Sequence, residues 1–89
     1  MDKITVRKIS DTTFQVSVES NTTTEHSITL PQAYYQRLTG GRTTPEELVK
    51  KSFEFLLDRE PNTSILRSFE LSLIGHYFPD FESRIKDSF

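Results

Sequence analysis

The chain contains no cysteine, which excludes disulfide staples, thiol nucleophiles and thiolate metal sites. No apolar stretch approaches the roughly 20 residues a membrane span needs. Nor does an apolar run follow Met1 in the manner of a secretory leader. The expectation is a soluble, cytoplasmic protein without membrane contact. Asn21-Thr22-Thr23 and Asn62-Thr63-Ser64 match the glycosylation acceptor pattern and, with no leader, read as turn residues. A basic excess is also missing. The 89 residues hold 11 Lys/Arg against 13 Asp/Glu, a net charge of -2. Residues 1–44 hold five and four, giving +1, and residues 45–89 hold six and nine, giving −3. Neither half carries the footprint expected of a nucleic-acid binder. A chain this short makes one domain, residues 1–89, and buries roughly 60–65% of its unfolded surface, so its core is thin.

What is present is organised around Thr43 to Pro61, TTPEELVKKSFEFLLDREP. Thr44 suits an N-cap, Pro45 the first helical position, and Glu47 completes a capping box. Glu46 and Glu47 place negative charge at the positive end of the helix dipole. Leu48, Val49, Ser52, Phe53, Leu56 and Leu57 recur at three-four spacing and form an apolar face. Phe55 falls off that stripe. Pro61 ends the helix near Arg59 or Glu60, so the segment reads as a helix over 45–59.

Before it, period-two alternation marks three strands, at about 3–8, 13–19 and 25–30. Ile4 and Val6, then Phe14, Val16 and Val18, then His26, Ile28 and Leu30 each share a face. Short polar links favour a three-stranded antiparallel meander with one buried side, covered by the capped helix. Pro31 opens a short helix over 31–38, stopped by Gly40-Gly41. After Pro61, Ile65, Leu66, Phe69, Leu73, Ile74, Tyr77 and Phe78 recur at helical spacing up to Pro79. They read as a helix over 64–78, whole or broken near Glu70, followed by another over 80–87. The fold class is α+β.

Ser52 to Phe81, SFEFLLDREPNTSILRSFELSLIGHYFPDF, preceded by TPEELVKK, resembles a group of short bacterial proteins described as conserved hypothetical. They combine this pattern with an N-terminal strand pair. The resemblance covers roughly residues 25–82, implies shared architecture and a bacterial setting, and carries no catalytic residue to transfer. The order of strands then helices is similar to HicB and ribbon–helix–helix antitoxins, a likeness of topology alone.

No catalytic constellation emerges. A metal site would need His26, His76 and carboxylates to converge; the plainer reading is a rim histidine and a surface histidine. Ser72, His76 and Asp80 recur every fourth residue, whereas a triad converges from separate elements. Gly40-Gly41-Arg42-Thr43-Thr44 lacks the phosphate-loop spacing, and Glu46 and Glu47 repel anions there. As a helix-turn-helix, residues 31–60 would offer phosphates an acidic recognition helix. The chain therefore reads as a non-catalytic protein without cofactor or metal.

The aromatic load near the end, Phe69, Tyr77, Phe78, Phe81 and Phe89, reads most plainly as core packing, yet a thin core is short of room for all of it beside Tyr34 and Tyr35. Phe69, Tyr77, Phe78 and Phe81, with Arg67 and Arg84 nearby, have the composition of a protein interface. The leading expectation is a protein–protein interaction module, self-associating as a homodimer or binding another protein. The alternative is a nucleic-acid-binding regulator or antitoxin-like protein reading a groove with Lys3, Thr5 and Arg7.

Overall fold

The strand β2 (Thr13–Glu19) sets the interior: Phe14, Val16 and Val18 are all fully buried. It pairs antiparallel with β1 (Lys3–Lys8), aligning Val6 with Val16, and with β3 (Thr23–Thr29), aligning Phe14 with Ile28 and Val16 with His26. Because opposed residues share a face, one side of the sheet is apolar. The other side carries Lys3, Thr5, Arg7, Gln15, Ser17, Glu25 and Ser27. The computed structural model describes residues 2–89.

After β3, α1 (Gln32–Thr39) closes on Gly40 at φ 61, whose amide donates to Gln36 O at 2.7 Å. A side chain is disfavoured in that left-handed geometry, which is why glycine stands there. The helix α2 (Pro45–Leu57) begins as its cap predicts, with the Glu47 amide donating to Thr44 Oγ1 at 3.1 Å. It packs on β1, while α4 (Phe81–Asp87) packs on α1 and α2. Ser52 sits fully buried within the apolar face of α2, its hydroxyl satisfied by Leu48 O at 2.8 Å. Phe55, off the main stripe, is buried too: α4 and the segment before it cover a second side of α2, where Phe55 meets Phe78 and Phe81 edge-on.

β1, β2 and β3 form the expected antiparallel meander, but the sheet does not stop there. It is four-stranded and mixed, in the order β1-β2-β3-β4, because β4 (Ser68–Glu70) pairs parallel with β3. The helix expected over 64–78, whole or broken near Glu70, is likewise replaced. A 3-10 turn at Asn62–Ser64, then β4, then the short α3 (Leu73–Tyr77) occupy that stretch. The reason is backbone satisfaction. The outer edge of β3 needs partners, and Ser27 N donates to Arg67 O at 2.7 Å while Leu71 N donates to Thr29 O at 2.9 Å. Filling that edge outweighs a helical period whose apolar positions 69 and 71 also satisfy a strand.

Side-chain clamps hold the crossover in place. Asn62, buried, donates through Nδ2 to Thr22 O at 2.9 Å and to Thr24 Oγ1 at 3.1 Å. His26 is no rim residue: it is 1% exposed, because strand alternation turns it inward beside Val16. Its Nδ1 lies 2.8 Å from Leu66 O and its Nε2 2.8 Å from Thr24 Oγ1. A carbonyl only accepts, so Nδ1 carries a hydrogen and donates it to Leu66 O. The ring rests 5.3 Å from that of Phe53, which stacks in turn on Phe69.

Candidate interaction groove

Beyond the end of α2 at Leu57 the chain turns at Pro61 and runs back along β3, and the space between the helix end, β4 and α3 is left open. It forms a groove of about 380 Å³ lined by Leu56, Leu66, Phe69, Leu73, Tyr77 and Phe78, among others, with Glu60 at its rim. Local constraints explain its apolar lip. With its carbonyl tied to His26, Leu66 follows a buried Ile65 in a non-helical segment; consecutive side chains diverge there, and Leu66 is 51% exposed. Tyr77, the last residue of α3, is 67% exposed, and its hydroxyl meets no hydrogen-bond partner among the described residues.

Side-chain contacts tie the wall behind together. Arg59 lies 3.6 Å over the ring of Phe55 and 5.9 Å from that of Phe78. It also donates to Phe55 O at 3.1 Å and to Asp80 Oδ2 at 3.0 Å. Arg84 reaches the same Asp80 oxygen at 3.2 Å. A guanidinium lying on the Phe55 face and held by a carboxylate backs the groove there, and Phe78 is half-buried beside it as part of the floor.

Of the six residues expected at an interface, the fold brings Phe69, Tyr77 and Phe78 to the groove. Phe81 is corrected: it is 0% exposed, buried at the start of α4 against Phe55. Arg67 is exposed beside Leu66, and Arg84 is exposed on α4, committed to Asp80 and outside the lining. Leu66 and Leu73 were missed as surface residues because a helical reading of 64–78 assigned both to a buried stripe.

Several polar groups elsewhere are bound to structural partners. Ser72 Oγ donates to Glu70 at 3.2 Å and Asp80 serves Arg59 and Arg84, so the Ser72, His76 and Asp80 spacing links no relay. Among the described residues no group of three or more metal-ligating side chains gathers. Tyr34 donates to Glu82 at 2.8 Å, beside Arg37 on the same oxygen at 2.8 Å. Burial pushes the Tyr34 hydroxyl well above its ordinary value, and the bond to Glu82 adds to the rise. On the open sheet face, the Gln15 amide, helped by Ser17, holds the Glu25 carboxyl below the usual range.

Among the described residues no helix is long and apolar enough to cross a membrane. Comparison of the chain with protein-family models, with curated proteins and with solved structures finds no match.

Proposed function

We propose that this protein is a non-catalytic interaction module of the cytoplasm that associates with a second copy of itself through the groove between α2, β4 and α3. One observation carries the reading: Leu66 and Tyr77 line an apolar cleft while standing 51% and 67% exposed. Tyrosine and large aliphatic side chains around a preformed cleft are the composition of an interface centre, where burial against a partner removes them from water. Glu60 supplies a polar rim.

The nucleic-acid reading has less support. Lys3, Thr5 and Arg7 are exposed on the open face of the sheet, but Glu19, Glu25 and Glu70 share that face. Carboxylates beside so few cations oppose a phosphate backbone.

The test is sedimentation velocity over a concentration series, comparing wild type with the double variant Leu66→Asp/Tyr77→Ala. Both positions are exposed, so the variant keeps its circular dichroism spectrum. The expected result is a concentration-dependent dimer in the wild type and a monomer in the variant. Equal dimerisation of the two would overturn the reading.

A further inference from the structure

β4 forms one edge of the sheet. In a parallel ladder alternate residues turn both backbone groups to the same neighbour. Arg67 O and Leu71 N both bond β3, so residues 67, 69 and 71 face inward. The N–H and C=O groups of Ser68 and Glu70 therefore point to the free edge. Both residues are exposed, and among the described residues nothing in the chain covers those groups. The opposite edge, β1, carries Lys3, Arg7 and Lys8, charges that discourage strand addition. The β4 edge has neither lysine nor proline, and it opens directly onto the groove, since Phe69 belongs to both.

Side-chain chemistry then selects the occupant. Ser68 and Glu70 both sit on the open face, beside Ser27 and Thr29, a hydroxyl donor at one end of the strand and a carboxylate at the other. An antiparallel copy of the same segment sets the hydroxyl of one strand against the carboxylate of the other. Resting on the self-association reading above, we infer that the second copy docks along β4, pairing Ser68–Glu70 antiparallel with its own counterpart about a two-fold axis at Phe69. In that register Ser68 and Glu70 of opposite copies exchange backbone hydrogen bonds, and the serine hydroxyl faces the glutamate. A register centred on Glu70 would oppose two carboxylates, and one centred on Ser68 would set Glu70 against Leu66. The two Phe69 side chains meet at the axis on the apolar side, and the two grooves become continuous. The interface is isologous and closes as a dimer with one unbroken sheet.

The absence of native cysteine makes the register directly readable. Ser68→Cys and Glu70→Cys both lie at exposed positions. Hydrogen-bonded antiparallel neighbours have Cα atoms about 5.5 Å apart, inside the range a disulfide bridges, whereas the same residue in two copies is offset beyond about 7 Å. The two variants are mixed under reduction and then mildly oxidised. The expected result is a cross-linked dimer several-fold more abundant in the mixture than with either variant alone. Equal cross-linking by Ser68→Cys alone overturns the inference. So does no cross-linking in the mixture while the wild type sediments as a dimer that Leu66→Asp/Tyr77→Ala breaks; the groove reading then stands without the strand pairing. A wild type that stays monomeric at all concentrations overturns both.

Discussion

The ring Nδ1 of His26 lies 2.8 Å from the carbonyl oxygen of Leu66, joining β3 to a segment forty positions later in the chain. That bond decides the path of the backbone past Pro61. Beside it, Ser27 N reaches Arg67 O, so clamp and ladder act on consecutive residues of the same two segments.

Replacing His26 with Ala leaves the Leu66 carbonyl and the Thr24 hydroxyl without the ring and opens a void beside Phe53. Loss of about 2–4 kcal/mol of stability is expected from the unmet polar groups and the cavity. Urea unfolding measures it. Hydrogen exchange should also show the Ser27 amide losing protection ahead of the β1–β2 ladder; uniform loss across the sheet would mean that the clamp is not local.

Phe81 and Tyr77 separate core from surface. Phe81→Ala removes a fully buried ring and is expected to cost about 3–5 kcal/mol. Tyr77→Ala, at 67% exposure, should stay within about 0.5 kcal/mol. Thermal melts of the two variants side by side provide the comparison, and similar losses would place Tyr77 in the core.

Tyr34 predicts an alkaline weakness. Its folded value is raised, so the native state holds the phenolic proton more tightly than the unfolded chain, which releases it near pH 10. The corresponding stabilisation is complete below about pH 10 and is lost as the pH climbs from there toward the folded value. Tyr34→Phe, which cannot ionise, should show a shallower fall in melting temperature between about pH 9 and 11. Parallel curves would remove Tyr34 as the cause.

Thr44→Ala tests the start of α2. The Glu47 amide loses its acceptor, an expected cost of about 0.5–2 kcal/mol, read by chemical denaturation. Thr44→Ser should recover most of it, because the hydroxyl acceptor remains.

What the sequence determined by itself is whatever its neighbours along the chain specify. Alternation placed β1, β2 and β3 within a residue or two, since Phe14, Val16 and Val18 admit only one inward face. Thr44, Pro45 and Glu47 announced α2, and Gly40 announced the end of α1, each through contacts within one turn. The aromatic excess near the C-terminus pointed to Phe69, Tyr77 and Phe78, which do share the groove. Only the tertiary structure decided the fate of residues 62–78. There the apolar spacing suits helix and strand alike, and the unpaired edge of β3, the His26 and Asn62 clamps and the cover over Phe55 chose between them. The same long-range choice buried Phe81 and turned Leu66 outward. No periodicity could reveal that, because exposure at those positions depends on partners far along the chain, His26 for Leu66 and Phe55 for Phe81.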